Sequence, residues 1–161
     1  ELKQVSTLTN ITKNFYKNWD EKQYKTYLKT FNIDPSKRIK ELSAGMKVKY
    51  QIAVALSHNA KLLILDEPTS GLDPVSREEL LSLFMYLAQT KKISILFSTH
   101  ITSDLEKCAD TITYIKDGNL IASMEKMKFI KHFQYLKTSS TKPDLTLEEI
   151  MIKNERCSYD F

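Results

Sequence analysis

The sequence predicts an α/β fold with a parallel sheet flanked by helices. Two short apolar segments, Leu62–Leu65 and Ile93–Phe97, have the length of buried strands, and helical segments precede, separate and follow them. Strands that alternate with helices are typical of βαβ units and parallel sheets. With 161 residues, of which 42% are hydrophobic, the chain is long enough to bury the core of one domain.

The first half is predicted to contain three helices. Asp20 is expected to cap the first helix, with Gln23 reaching back to it in a capping box. Ser43 caps the second, over residues 45–57, and Asp73 precedes the third, whose first residue is a tolerated proline. The residues expected to be buried recur at helical spacing: Tyr24, Tyr27, Leu28 and Phe31, then Val48, Ile52, Ala55 and Leu56, then Leu80, Leu83, Phe84, Leu87 and Ala88.

The second half is predicted to contain a hairpin and short helices. Ser103 with Glu106 indicates a helix after the second strand. The Asp117-Gly118 dipeptide favours a two-residue hairpin turn. The remaining predictions are strands over Thr111–Ile115 and Leu120–Ala122, a helix over residues 127–135, a linker over residues 138–143 and a last short helix capped by Thr146 with Glu149.

Composition excludes several classes of protein. No apolar segment approaches the roughly 18 residues that a membrane-spanning helix needs. The 24 basic and 20 acidic residues give a net charge of +4, and because these charges are spread along the chain they indicate solvated faces rather than a nucleic-acid groove. Cys108 and Cys157 lack metal-ligand or redox spacing, so we expect a reducing, cytosolic compartment.

Two adjacent carboxylates, Asp66 and Glu67, follow the first strand. Open α/β sheets bind ligands at the carboxyl ends of their strands, so Asp66 could hold Mg²⁺ through water while Glu67 orients or deprotonates an attacking water. His100 follows the next strand and would share that edge if the strands are neighbours. The structural alternatives are an acidic turn before Pro68 and a histidine that only packs at a strand end.

The segment Ser43-Ala44-Gly45 lies at a predicted helix start. Free backbone amides, a hydroxyl and the helix dipole together form an anion site. The alternative is that Ser43 simply caps the helix. Asp73 also has a structural alternative, since it precedes the proline of the next helix and could cap that helix. For Asp73, capping and a functional role are compatible.

In this order the motifs resemble those of ABC-type ATPases. Leu42-Ser43-Ala44-Gly45-Met46 is similar to the signature motif, usually Leu-Ser-Gly-Gly-Gln, and comes about twenty residues before the acid pair. Residues 62–67 resemble the Walker B strand, 70–73 the D-loop and 98–100 the switch-histidine loop. The sequence of residues 66–74 is similar to the corresponding segment of transporter ATPases, especially bacterial exporter-type ones.

The resemblance implies part of a P-loop NTPase (ABC ATPase) core and a helical subdomain. The implied boundaries are a helical signature subdomain over residues 1–60, the carboxyl-terminal part of the ATPase core over 61–123 and a helical extension over 124–161. Met127 to Tyr135 and the last predicted helix would then lie in the extension.

The resemblance also implies roles for individual residues in an ATP hydrolase that binds ATP and Mg²⁺. Asp66 would lie in the Mg²⁺ shell, Glu67 would act on the hydrolytic water and His100 would contact the γ-phosphate. The signature residues Ser43, Ala44 and Gly45 would bind the γ-phosphate held by an opposite subunit, and Asp73 would cross the dimer interface.

The implied partners are a second ATPase domain and a transmembrane permease subunit, with the ATPase on the cytoplasmic face of the membrane and no nucleic acid bound. Two alternatives stay open. One is the carboxyl-terminal half of a DNA-repair or chromosome-maintenance ATPase, although no coiled coil precedes Leu42. The other is a non-catalytic module that docks a membrane subunit through its aromatic residues, which are otherwise ordinary core: Phe15, Tyr16, Trp19, Tyr24 and Tyr27.

The sequence departs from the family pattern at two places. Ala44 and Met46 replace a glycine and a glutamine of the signature motif, and the chain's three glycines cannot form a Gly-x-x-x-x-Gly-Lys-Ser/Thr loop. Gln4 is a weak candidate for the glutamine loop. We therefore expect the chain to be inactive alone and, as it starts at Glu1 rather than Met, to be a fragment or a processed product.

A missing phosphate-binding loop has a consequence for the sheet. In the family, the strand before that loop lies between the strand of Ile95 and the strand of Thr113. Its omission would leave two unpaired strand edges, and such edges favour pairing with another chain. We therefore expect pairing with another copy, rearrangement around the gap, or a chain that is only part of the folded molecule.

Overall fold

The computed structural model of the chain describes residues 2–136 and 144–155. It has two compact units, residues 1–99 and residues 100–161. The domain boundaries implied by the family resemblance, after residues 60 and 123, stay a prediction. The first unit contains α1 (Val5–Thr12), α2 (Glu21–Thr30), α3 (Ala44–Ser57), β1 (Leu62–Asp66), α4 (Pro74–Lys91) and β2 (Ser94–Ser98), and the second contains α5 (Thr102–Cys108), β3 (Thr111–Lys116), β4 (Asn119–Glu125), α6 (Lys126–His132) and α7 (Leu147–Glu155).

The first unit has a parallel pair of strands. β1 and β2 align from Leu62 opposite Ser94 to Asp66 opposite Ser98, which confirms the prediction of neighbouring parallel strands. The four strands of the described residues form two two-stranded sheets, β1–β2 and β3–β4. The predicted parallel strands and the predicted hairpin are thus both present, each as a two-stranded sheet.

The two faces of the β1–β2 sheet differ in their cover. On one face Leu63 is buried, and the Phe97 ring lies 5.7 Å from the ring of Phe84 on α4. On the other face Ile64 and Leu96, which are register partners, are 71% and 58% exposed. Parallel sheets usually have both faces covered, so this apolar face is an unusual feature of the described residues.

Three helices of the first unit, α1, α2 and α3, meet at the buried hydroxyl of Thr9. This hydroxyl donates to the carbonyl of Val5 at 2.9 Å and lies 2.6 Å from the Tyr24 hydroxyl and 2.9 Å from the Tyr50 hydroxyl. Because a hydroxyl has one proton and two lone pairs, both tyrosines donate to Thr9. One side chain thus satisfies polar groups from α1, α2 and α3.

Helix α3 is buried on more than one side. Tyr50 joins the core with α1 and α2, whereas Lys49 forms an ion pair of 2.6 Å with Glu79 of α4. The amphipathic stripe predicted from the sequence was therefore too narrow. Tyr50 and Ala53 are buried as well as the predicted Ile52 and Leu56.

The capping box predicted at the start of α2 is present in part. The Asp20 carboxylate accepts the backbone N–H of Gln23 at 2.8 Å, which confirms the predicted cap. The reciprocal half of the capping box is wrong, because the N–H of Asp20 donates to the Ser57 carbonyl at 2.7 Å. This bond joins the start of α2 to the end of α3, a contact distant in sequence.

The second unit is built on the predicted hairpin. β3 and β4 pair antiparallel, from Thr111 opposite Glu125 to Lys116 opposite Asn119. Between them Asp117 and Gly118 have φ angles of +50° and +74°, as expected of the two-residue turns that match strand twist. The hairpin carries the hydrophobic core of this unit on one face: Ile112, Tyr114, Ala122, Phe129, Phe133, Leu145, Leu147 and Ile150.

The helices of the second unit agree with the sequence except at their ends. The Thr146 hydroxyl accepts the Glu149 N–H at 3.1 Å, and the Glu149 carboxylate accepts the Thr146 N–H at 2.8 Å, which confirms the last cap. Ser103 lies inside the first turn of α5, and Glu106 accepts the N–H of Leu147 at 2.9 Å. The predicted helix over residues 127–135 ends as α6 at His132 and continues as a 3-10 turn. The predicted linker over residues 138–143 lies outside the described residues.

Candidate functional site

Asp66 and Ser98 are the last residues of two neighbouring parallel strands and lie opposite each other. The Ser98 hydroxyl donates to Asp66 Oδ1 at 2.6 Å. Its oxygen accepts the backbone N–H of Glu67 at 3.0 Å. One hydroxyl therefore connects both residues of the acid pair at the carboxyl edge of the sheet.

Glu67 has a backbone conformation that non-glycine residues rarely adopt. Its φ angle is +45°, in the left-handed region, and such a conformation costs on the order of 1–3 kcal/mol. The Glu67 carbonyl accepts the N–H of Ser70 at 3.1 Å, so a turn follows at once. The side chain is half-buried, and its Oε2 atom is shielded from solvent. Strain of this kind concentrates at functional sites.

The segment after the acid pair leads into α4. Thr69 is buried, and Gly71 is exposed with a φ angle of +69°. Asp73 then caps α4, because its carboxylate accepts the N–H groups of Val75 and Ser76 at 3.1 and 3.0 Å. Hydrogen bonds from the Ser76 side chain and backbone lower the pKa of Asp73 below its usual value. The structural role of Asp73 is therefore present, and its role at a dimer interface stays a prediction.

The predicted signature segment forms the start of α3. The Ser43 hydroxyl accepts the Met46 N–H at 3.2 Å, so it is a helix cap. The amides of Ala44 and Gly45 belong to the first helical turn, which has no intrahelical acceptors for them. Ser43 and Ala44 are exposed, whereas Gly45 is buried against Ser76 of α4. This exposed helix start is suited to an anion.

His100 is the first residue of the second unit. It follows Thr99 after the end of β2, and its side chain is exposed. The structure thus joins the acid pair, Asp66 and Glu67, to Ser98 by hydrogen bonds. It places His100 at the start of the other unit. Among the other candidates, Gln4 precedes α1 and forms an isolated bridge with Arg38.

Ser98 is the residue that sequence reasoning missed. In the sequence, Ser98 could be recognised only as the first residue of the segment that resembles the switch-histidine loop, and no role was predicted for it. Its importance depends on strand register, because a polar residue that ends one parallel strand faces the acid that ends its neighbour. The signal in the sequence was a serine at the end of the second apolar segment.

Asp66 is the candidate metal ligand of this site. The described residues contain no group of three or more His, Cys, Asp or Glu side chains that could hold a metal ion together. Asp66 offers an exposed carboxylate that uses Oδ1 for Ser98. Mg²⁺ often takes one or two carboxylates and completes its shell with water and phosphate oxygens. Asp66 therefore fits Mg²⁺ as a single protein ligand.

The aromatic residues near the start of the chain divide into core and surface. Tyr24 is buried, and Trp19 packs on it with ring centroids 5.1 Å apart. Tyr16 stacks on His58 at 3.8 Å, so His58 has a packing role. Phe15 is 80% exposed. Within the described residues, no helix is both long and apolar enough to cross a membrane.

Comparison with known proteins gives consistent matches. A family model described as "AAA domain, putative AbiEii toxin, Type IV TA system" matches residues 10–103, more than half of the chain. The bacitracin transport ATP-binding protein BcrA of Bacillus licheniformis is 34% identical over 120 residues, which cover 72% of this chain and 39% of that protein. The lantibiotic transport ATP-binding protein SrtF of Streptococcus pyogenes is 42% identical over 94 residues, which cover 58% of this chain and 40% of that protein. The chain thus spans about two fifths of the length of these relatives.

Solved structures give the same result. A structure described as the ATP-binding subunit of an ABC transporter superposes with a TM-score of 0.71 at 25% identity, over 94% of this chain and 62% of that chain. CbiO1 from Clostridium perfringens, described as part of the ABC transporter complex CbiONQ, superposes with a TM-score of 0.63 at 26% identity, over 84% of this chain and 59% of that chain. The descriptions of these relatives and structures all refer to transport or to an ABC transporter, and three of the four name an ATP-binding component.

Proposed function

Because the chain belongs to the AAA-domain family of P-loop ATPases, and its homologues are ATP-binding proteins of ABC transporters, we propose that it supplies the hydrolytic part of a transporter's ATP-binding subunit. In this proposal, ATP hydrolysis in a head-to-tail dimer is coupled to transport by a membrane partner. The relatives' descriptions favour transport over the alternative of a DNA-repair ATPase.

The observation that carries this proposal is the hydrogen-bonded group of Asp66, Glu67 and Ser98 at the carboxyl edge of β1 and β2. Asp66 would hold Mg²⁺, which when bound neutralises charge on the phosphates. Glu67 would orient the attacking water and accept its proton, since general bases act within hydrogen-bonding reach. His100 would contact the γ-phosphate when the chain is assembled with nucleotide.

The start of α3 would serve the partner's nucleotide. The Ser43 hydroxyl and the amides of Ala44 and Gly45 lie at the positive end of a helix of 14 residues, where negative charge is stabilised. Asp73 would meet the partner domain while it continues to cap α4. These roles are supported by the exposure of Ser43, Ala44 and Asp73.

The second partner would be a transmembrane permease at the cytoplasmic face of the membrane. Phe15 is 80% and Tyr16 37% exposed, and exposed aromatic residues are typical of protein interfaces. Buried Tyr24 is part of the core and would not contribute. Since the relatives include ATP-binding proteins described for bacitracin transport and for lantibiotic transport, bacitracin and lantibiotics are the first cargo to test.

The 161 residues on their own would not hydrolyse ATP. The chain lacks a Gly-x-x-x-x-Gly-Lys-Ser/Thr sequence, and this loop supplies the main β- and γ-phosphate contacts in P-loop ATPases. We propose that the loop is supplied from outside these residues. The coding sequence upstream of Glu1 would test this directly.

The deciding experiment compares ATP hydrolysis by two preparations. One is the chain of 161 residues, and the other is the complete polypeptide encoded by the gene, assembled with its membrane partner. We expect turnover only in the second, and its loss in the Glu67→Gln variant, which keeps the shape of the side chain but removes the base. Turnover by the short chain that Glu67→Gln abolishes would contradict the proposed inactivity. Turnover of the complete protein that survives Glu67→Gln would contradict the role of Glu67.

A further inference from the structure

We propose that Ser98 is a positioning residue for the hydrolytic site, which it orients through both members of the acid pair. The inference rests on the proposed ATPase function. The Ser98 hydroxyl fixes the carboxylate of Asp66 and, through a second hydrogen bond, the backbone of Glu67. Ser98 itself would not contact the reacting atoms.

A serine hydroxyl can donate one hydrogen bond and accept two. Its single proton is donated to Asp66 Oδ1 at 2.6 Å, and one of its two lone pairs accepts the Glu67 N–H at 3.0 Å. The short distance to Asp66 is in the range of charge-assisted bonds between a hydroxyl and a carboxylate. Asp66 is thereby held in one orientation, with its second oxygen left for a metal ion.

Ser98 also restrains the backbone of Glu67. A residue with a φ angle of +45° keeps this conformation only when its surroundings hold it there. The bond from the Glu67 N–H to Ser98 is one such restraint, and the turn closed by the Ser70 N–H is another. Loss of the first restraint would let the backbone relax toward the β region. The Glu67 carboxylate would then move away from its productive position.

A purely structural role for Ser98 is the alternative. Ser98 is exposed at the strand end, so its side chain buries little apolar area. The β1–β2 ladder holds the strands together, and the packing of Phe97 on Phe84 holds β2 against α4, both without the Ser98 hydroxyl. A substitution that removes only the hydroxyl should therefore leave the fold intact while it releases the acid pair.

Steady-state kinetics on the complete protein separate these roles. For Ser98→Ala we expect kcat to fall about ten- to a hundred-fold, the range typical of residues that orient a metal ligand, with KM for ATP changed less than about twofold. Ser98→Thr keeps the hydroxyl and should stay within about threefold of the wild-type kcat. Ser123→Ala is the matched control, because it removes a strand serine that bonds Thr113 rather than a carboxylate.

The outcomes distinguish this inference from the proposed function. If wild-type protein has no ATPase activity, or if Glu67→Gln retains it, the proposed function fails. If Glu67→Gln abolishes activity but Ser98→Ala keeps kcat within about twofold of wild type, or Ser98→Thr is as impaired as Ser98→Ala, the inference about Ser98 is overturned.

A second measurement does not depend on activity. Hydrogen–deuterium exchange at the Glu67 amide should be faster in Ser98→Ala than in wild type or Ser98→Thr, at unchanged melting temperature. Equal exchange in all three proteins would overturn the inference, because the Glu67 N–H would then not depend on the Ser98 hydroxyl. Faster exchange with an intact fold would show that the Ser98 hydroxyl holds the Glu67 amide, and the kinetic measurements then decide whether this restraint serves hydrolysis.

Discussion

Gly45, in the first turn of α3, packs against Ser76, in the first turn of α4, so closely that a Cβ on the glycine would lie 3.3 Å from the Cβ of the serine. Leu72 lies on the same side, 3.9 Å from that position. The predicted phosphate-binding residue is therefore also a point of contact between two helices. Its lack of a side chain has a structural reason that is independent of any ligand.

A larger side chain at this position should separate the two helix starts. We expect Gly45→Val to lower the free energy of unfolding by about 1–3 kcal/mol through overpacking. Ala44→Val is the matched control, because the neighbouring Ala44 is exposed, and it should cost less than about 1 kcal/mol. Urea denaturation followed by circular dichroism measures both. Equal losses in the two variants would show that the Ser76 contact is unimportant.

The buried hydroxyl of Thr9 should be important for the helical part of the first unit. Thr9→Val preserves the shape of the side chain but leaves the hydroxyls of Tyr24 and Tyr50 without their acceptor. An unsatisfied buried polar group costs about 1–3 kcal/mol, so we expect a loss of at least that size in denaturant unfolding. Thr26→Val, on the exposed side of α2, should change stability by less than about 0.5 kcal/mol. A neutral effect of Thr9→Val would contradict this account.

The same cluster predicts a loss of stability at alkaline pH. Burial raises the pKa of Tyr24 to about 12, above the value of about 10 in an unfolded chain. The neutral tyrosine is thus favoured by folding, and its contribution is fully present below pH 10 and is lost as the pH rises toward about 12. The midpoint of urea unfolding should fall between pH 9 and 11.5 less steeply in Tyr24→Phe than in wild type. Parallel curves for the two proteins would exclude this linkage.

Local features were the part of this fold that the sequence could predict. The Asp117-Gly118 turn and the Thr146–Glu149 cap depend on residues within a few positions of each other, and both are present. The capping box at Asp20 was only half right, because a carbonyl 37 positions away, that of Ser57, takes the N–H instead. Contacts of this kind depend on packing between helices and leave no local pattern.

The candidate site, too, could be predicted only where it depends on local sequence patterns. The acid pair could be recognised from its place after an apolar segment, and Ser43 from its place before a helix. The role of Ser98 could not, because it follows from the register in which Ser98 lies opposite Asp66. The positive φ angle of Glu67 also has no sequence signal, since a glutamate in the left-handed region contradicts local preference.

The uncovered face of the β1–β2 sheet should make the 161-residue chain associate with itself. Ile64 and Leu96 form an exposed apolar pair, and exposed apolar patches and strand edges favour association. We expect the double variant Ile64→Thr and Leu96→Thr to be more monomeric in sedimentation velocity at the same concentration, with little loss of stability. Leu63→Thr, on the buried face, should unfold the chain more easily without this gain. Unchanged association in the double variant would exclude the face as its cause.

The cap at Asp73 should make the stability of α4 sensitive to acid. Hydrogen bonds from Ser76 lower the pKa of Asp73 in the folded chain, so the ionised carboxylate is favoured by folding. Its contribution is present above the unfolded pKa of about 3.9 and is lost as the pH falls through the lower folded value. Asp73→Ala should therefore lower the melting temperature at pH 7, and the difference from wild type should shrink as the pH falls below about 4. Asp73→Asn keeps a capping oxygen without a charge. Its melting temperature at pH 7 should therefore lie between those of wild type and Asp73→Ala, and the acid-dependent loss should be absent. A melting-temperature difference between wild type and Asp73→Ala that is the same at pH 7 and pH 3 would contradict a role for the ionised cap.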